Sequence, residues 1–276
     1  MTGYLSYACS ILISLTLTLY LKSLLQNALL SMGVTMENYD GKKTITGMGL
    51  LFFIPCIVSI FPLLAILSSV DILIYITVLF ALTLAGYIDD SLGDKGRKGF
   101  KGHISGIVKG NLSTGIIKAI IALIMGATIS SIYFSGIINI ILNTLLFCLC
   151  VNIMNLMDLR PGRAAKSFLF FCLIVAIPAS LNSIWILLPI TTSLLLYIKG
   201  ELQEKYMMGD AGSNLLGGLF GLYTLRVASG ETKLFLIFFL VTLHIASEFK
   251  SFSKIINSTP ILRYLDSLGQ KRERQP

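Results

Sequence analysis

Apolar stretches near twenty residues long recur along almost the whole chain, separated by polar segments that alternate between long and very short. A helix rises about 1.5 Å per residue, so about twenty apolar residues cross a hydrocarbon core of about 30 Å. The pattern predicts nine spans, at roughly 4–25, 47–67, 70–87, 113–134, 136–156, 166–181, 184–198, 212–228 and 233–249. Helices are expected because lipid offers no partner for a backbone N–H or C=O, and a helix satisfies both internally. The predicted fold is all-α: a polytopic transmembrane helix bundle forming one integral membrane domain over residues 1–276. Prolines at 55, 62, 178 and 189 are expected to kink their helices. The first stretch lacks a basic leader and a small-residue cleavage site, so it is read as the first span and not as a removable signal.

Composition sharpens this picture. The chain is 55% apolar and 13% charged, too apolar for a soluble domain of 276 residues. Cys9, Cys56, Cys148, Cys150 and Cys172 all fall in apolar segments, so neither a disulfide framework nor a zinc site is expected. Charge then sets the orientation. Of the 22 Lys and Arg, only Arg226 and Lys233 border the short connections; the rest lie in the long loops 31–46, 88–112, 157–165, 199–211 and 250–276 or at the helix ends that border them. Positive loops stay cytoplasmic, which places the N-terminus outside and the C-terminus inside, as nine spans require. Of the 14 Asp and Glu, only Asp71 and Glu231 lie on the outer side. The chemistry is thus expected at the cytoplasmic lip. The span interiors hold almost no charge, which argues against a transporter built around a mid-membrane site.

Four inner segments carry unusual residues. In NYDGKKTITGMG at 38–49, glycines and the Lys42–Lys43 pair would let backbone approach a phosphate, unless the segment is simply a solvated loop. In GYIDDSLGDKGRKGFK at 86–101, Asp89 and Asp90 close a span at the helix end where the dipole disfavours negative charge. A divalent cation such as Mg²⁺ would compensate, as would water and the neighbouring Lys95, Arg97, Lys98 and Lys101. In NIMNLMDLRPGRAAK at 152–166, Asn152, Asn155 and Asp158 recur every three residues and are expected along one side of a helix end. Arg160, Arg163 and Lys166 follow, and arginine's planar fork suits phosphate oxygens. In KYMMGDAGSNLLGG at 205–218, Asp210 sits between Gly209 and Gly212, with Ser213 next. Asp210 or Ser213 could cap the following helix; alternatively the helix start offers free N–H groups to an anion while Asp210 takes a metal. Together these are parts for pyrophosphate chemistry: acids to hold Mg²⁺, Mg²⁺ to bridge phosphates, and cations to take the remaining charge.

The order GYIDDSLGD, NIMNLMD, MMGDAGSNLLGG resembles the polyprenyl-phosphate N-acetylhexosamine-1-phosphate transferases, the glycosyltransferase family that includes phospho-N-acetylmuramoyl-pentapeptide transferase. TITGMG at 44–49 is similar to that family's first-loop Thr-Pro-x-x-Gly-Gly, and the resemblance runs over about 38–218. It implies Mg²⁺-dependent transfer of a sugar-1-phosphate from a UDP-sugar to undecaprenyl phosphate or a related lipid. UMP is released, and the setting is cell-envelope glycan synthesis at the plasma membrane. By position it implies that Asp89 and Asp90 are the paired acids, one orienting or deprotonating the lipid phosphate and the other near the metal. Asp210 would ligate Mg²⁺ with Asp90 assisting, and Asn155 and Asp158 would line the nucleotide pocket. Lys43 and Lys118 would contact phosphates. The resemblance also implies a homodimer; no nucleic-acid partner is expected.

The chain departs from the family in two places. Asp-Gly-x-Asp-Gly is replaced by DLRPGR, which keeps Asp158 and Gly162 but puts Pro161 where the second acid stands. The histidine cluster is replaced by Leu262, Arg263 and Tyr264 in STPILRYLDSLG, where Arg263 would stand in for a histidine as a phosphate contact; family members continue with one more span. His103 is read as a solvated loop residue, and His244 as paired with Glu248 along its helix. These departures define the alternative: a family-derived membrane protein that binds or scaffolds lipid-linked intermediates without catalysis.

Overall fold

The computed structural model describes residues 2–92, 113–177, 181–249 and 252–270. Asp94, Lys95, Arg97, Lys98, Lys101, His103 and Pro178 lie outside the described residues. The architecture is a helical bundle. Its helices are α1 (Thr2–Ser31), α2 (Phe53–Val58), α3 (Ser69–Leu92), α4 (Thr114–Tyr133), α5 (Ile137–Met157) and α6 (Arg163–Ala176). They continue with α7 (Leu188–Leu202), α8 (Gly209–Val227), α9 (Gly230–Phe249), α10 (Phe252–Ser258) and α11 (Pro260–Ser267). Five of them, α1, α3, α4, α5 and α9, are long and apolar enough to cross a membrane. Their outward faces carry exposed side chains such as Leu12, Leu19, Phe80, Ile138, Phe238 and Phe249, a surface suited to lipid and not to water.

Helix α8 is the axis. From Ala211 to Leu225 every residue is buried, as expected for a helix apolar on all sides. It packs most extensively on α3 and α5, and also on α6. Glycines permit this closeness. A Cβ on Gly86 of α3 would stand 2.2 Å from the Asp210 carbonyl oxygen, and one on Gly217 would stand 2.5 Å from the Val151 Cα of α5. Without a hydrophobic drive between helices in lipid, such small-residue contacts supply the packing. Gly86→Val is therefore expected to force α3 off α8 at a cost of about 3 kcal/mol or more. Thermal unfolding in detergent would register this as a large drop in midpoint.

The expected span 47–67 is not one helix. It breaks into a 3-10 turn at Met48–Phe52, α2, and a second 3-10 turn at Phe61–Leu63. Pro55 and Pro62 lack the N–H groups a continuous helix needs. The expected first loop also has structure. Strands β1 (Thr35–Glu37) and β2 (Lys43–Ile45) pair antiparallel, with Glu37 opposite Lys43. Asn38 closes the turn, its Oδ1 accepting the N–H groups of Asp40 and Lys42 at 3.0 and 2.9 Å. Strand β2 then docks on the segment before α8: Met207 N–H donates to the Ile45 carbonyl at 2.7 Å and Gly49 N–H to that of Met208 at 2.9 Å. TITGMG and MMGD are thus laid side by side.

Helix α1 joins the bundle through a polar seam. Ser14 Oγ donates to the Pro189 carbonyl at 2.7 Å, and Ser193 Oγ lies 3.0 Å from Ser14 Oγ and 2.8 Å from Thr18 Oγ1. The four-residue spacing of Ser14 and Thr18 keeps them on the face toward α7.

Candidate functional site

Three helices bring one lysine and two carboxylates together. Asp89 lies in the last turn of α3, Lys118 near the start of α4, and Asp210 in the first turn of α8. Lys118 Nζ stands 2.6 Å from Asp89 Oδ2 and 2.5 Å from Asp210 Oδ2. The two carboxylates also come within hydrogen-bonding reach of each other, and Thr114 donates to Asp89. Two carboxylates this close are relieved by a proton held between them or by a cation, and Lys118 supplies a cation.

The start of α8 is clasped by further acids. Met208 N–H donates to Glu201 Oε1 at 3.1 Å, and Gly209 N–H to Asp158. Asp210 N–H and Ala211 N–H donate to the two oxygens of Asp90, at 2.8 and 3.0 Å. Four consecutive backbone donors are thus taken by three side-chain carboxylates. The expectation of free N–H groups awaiting an anion is corrected here: the first donors of α8, which helix geometry leaves unpaired, are already filled. Gly209 makes the clasp feasible. Its φ is +75°, and a Cβ there would lie 2.7 Å from Asp90 Oδ2. Asp90 is thereby a helix cap, with both oxygens committed. Asp89, and not Asp90, is the acid that faces Asp210.

Glu201 was not anticipated from the sequence. It is buried in the last turn of α7, past the predicted span, and accepts Tyr197 Oη–H at 2.9 Å and Gly162 N–H at 3.1 Å besides Met208 N–H. It ties the 158–162 segment to the 203–209 segment. Burial pushes its carboxyl from 4.5 up to about 7. Burial likewise pushes Asp158 up, with Glu201 and Asp210 adding repulsion. The folded state holds the Glu201 proton more tightly than the unfolded chain does. Its contribution to stability is full below about pH 4.5 and is lost as the pH rises through about 7. The thermal midpoint is expected to fall across that window, and Glu201→Gln to flatten the fall.

The remaining expected residues divide. Asn155 joins the site: its Nδ2 donates to Asn214 Oδ1, and its Oδ1 accepts Ser213 Oγ–H. Asn214, 1% exposed, is a member that sequence reasoning passed over, although it lies inside the GDAGSN motif. Asn152 is exposed and outside the network. A three-residue step rotates 300°, so Asn152 and Asp158 end about 120° apart on the helix, not on one side. Gly212 serves packing, since a Cβ there would meet Gly49 Cα at 2.7 Å. Arg160 stacks on the Tyr39 ring at 4.1 Å, and Tyr39 donates to Glu204 at 2.9 Å.

Arg163 is engaged elsewhere than at a phosphate. Its Nε and Nη2 bond both oxygens of Asp266, each at 2.8 Å, and Nη1 bonds Ser253 Oγ at 3.2 Å. Lys166 donates to the carbonyls of Leu265, Asp266 and Leu268, so α10 and α11 are pinned beneath α6. Arg163→Ala leaves Asp266 half-buried and unpaired, an expected loss of about 3 kcal/mol. Limited proteolysis should then cut within 252–270 while the bundle stays whole. Lys43 and Arg263 are exposed, on β2 and α11 respectively. His244 Nδ1 lies 2.7 Å from the Leu240 carbonyl.

The donor chemistry suits a hard divalent ion. Asp89 and Asp210 offer carboxylate oxygens on either side of Lys118. Among the described residues no group of three or more His, Cys, Asp or Glu encloses a metal-sized position. Lys118 Nζ lies between Asp89 and Asp210, the two carboxylates that would hold a metal there. No family model matches the chain, and no curated protein matches it.

Proposed function

We propose that the chain is a membrane-embedded transferase moving a sugar-1-phosphate, of the N-acetylhexosamine type, from a UDP-sugar to undecaprenyl phosphate or a related polyprenyl phosphate. The observation that carries this reading is the meeting of Asp89, Lys118 and Asp210 from three helices. The motif order that resembles the transferase family supplies the reaction. In this reading the chain crosses the plasma membrane nine times, with the N-terminus outside and the site on the cytoplasmic face. A second charged contact supports the alignment: Asp71 at the start of α3 pairs with Arg226 at the end of α8 at 3.0 Å, at the far ends of the same helices.

An oxygen of the lipid phosphate attacks the sugar-bearing phosphorus, a new P–O bond forms, the bond to the uridylate phosphate breaks, and UMP leaves. Asp89 and Asp210 would hold Mg²⁺, which when bound neutralises the pyrophosphate and polarises its phosphorus. Lys118 takes charge that develops on the phosphates. Asp90 fixes the position of Asp210 by holding the α8 start, and Asp158 and Glu201 hold the turn before it. Asn155, with Ser213 and Asn214, presents amide and hydroxyl groups to the nucleotide. UMP release from a panel of UDP-sugars, with purified protein and undecaprenyl phosphate, tests the proposal. No release from any donor would sink it.

One observation favours the non-catalytic alternative. Arg163, expected on a phosphate, is spent on Asp266, and Arg160 on Tyr39. A scaffold that binds lipid-linked intermediates would tolerate that loss.

A further inference from the structure

A second polar site lies apart from the acidic cluster, between α1 and α7. The seam that joins these helices continues past Thr18 in the same four-residue step, to Lys22 and then Gln26. There the helices part around a cavity of about 430 Å³, lined by Lys22, Gln26, Lys199 and Lys205 at its polar end and by Leu195 and Leu196 beside them. No acid is among its lining residues. Lys22 is set in place: its Nζ donates to the Leu196 carbonyl at 2.7 Å and stands 5.8 Å from the centre of the Tyr206 ring. Lys199 and Lys205 are near enough to repel its charge. Three cations gathered without a counter-charge leave a place for an anion.

Depth and lining identify the source. Lys22 lies twenty residues along α1, about 30 Å from its start, which is one hydrocarbon thickness. It therefore stands at headgroup level, at the same end of the bundle as α7's last turn. Leu195 is exposed and leads from the cations along the lipid-facing side. A polar end with three amines and an apolar flank match an amphiphile carrying a phosphate. We propose that this cavity binds the phosphate headgroup of an anionic membrane lipid. The proposal goes beyond the transfer reaction and does not rest on it, because none of its residues belongs to the acidic cluster.

Native mass spectrometry of the purified protein, titrated with dioleoyl phosphatidic acid, tests it. Dioleoylglycerol serves as the phosphate-free arm and inorganic phosphate as the lipid-free arm. The wild type is expected to retain phosphatidic acid far better than dioleoylglycerol. Lys22→Gln/Lys199→Gln/Lys205→Gln is expected to lose about 100-fold in that retention. Lys199→Gln/Lys205→Gln, whose side chains are exposed and which keeps the Lys22 bond, should lose part of it with an unchanged melting midpoint. The three Lys→Arg changes should retain it. Undiminished phosphatidic acid binding in the Gln variants would overturn the site. Binding of inorganic phosphate with no phosphatidic acid adduct would overturn the lipid assignment.

Discussion

Asp210→Asn is expected to lower UMP release by about 10³-fold while the protein stays folded. The substitution keeps the shape and removes the charge that faces Lys118 at 2.5 Å. The backbone around it does not depend on that charge, because the N–H groups of residues 208–211 are held by Glu201, Asp158 and Asp90. The melting midpoint should therefore move little. In the variant, Lys118 keeps Asp89 as its partner and the cluster loses one hard oxygen ligand. Steady-state UMP release read beside the melting curve separates lost chemistry from lost structure. Full activity in Asp210→Asn would remove this residue from the mechanism.

Asp90→Ala is expected to show the opposite balance, with a destabilisation of about 3 kcal/mol. Asp90 accepts two N–H groups at 2.8 and 3.0 Å from the start of the most buried helix. Charge-assisted bonds of this kind each contribute about 1.5–3 kcal/mol, and alanine would leave two donors unpaired beside the helix dipole. Asp90→Asn keeps one acceptor and should recover part of the loss. Thermal unfolding of the three proteins in one detergent measures this directly. An unfolding midpoint equal to wild type in Asp90→Ala would show that the cap contributes nothing. The pair of predictions thus separates Asp210, which faces Lys118, from Asp90, which holds the backbone; Asp89, next to Asp90 in the chain, turns to Lys118 instead.

That distinction was out of reach of the sequence. Helix periodicity cannot say which of two adjacent carboxylates turns toward α8, since neighbours on a helix point 100° apart and the partner's position decides. The long spans were legible because each is a continuous apolar run: 70–87, 113–134 and 136–156 correspond to α3, α4 and α5 within a few residues. The 47–67 run was apolar too, but its prolines interrupt the hydrogen-bond ladder and hydropathy does not register that. The hairpin at 35–45 hid in a polar loop, because its strands are three residues each, too short for an alternating pattern to register. Glu201 looked like one more charge of an inner loop. Its importance comes from accepting backbone donors of segments far along the chain, which no local pattern records. Arg163 misled for the same reason: a basic residue at an inner helix end fits a phosphate as well as it fits Asp266.

Calorimetric titration of a UDP-sugar into the purified protein, with Mg²⁺ and then with excess chelator, bears most directly on whether these carboxylates gather a divalent ion around a pyrophosphate. Binding that appears with Mg²⁺, vanishes with chelator and is lost in Asp210→Asn is the predicted result. Binding of equal strength under all three conditions, or none under any, would contradict it.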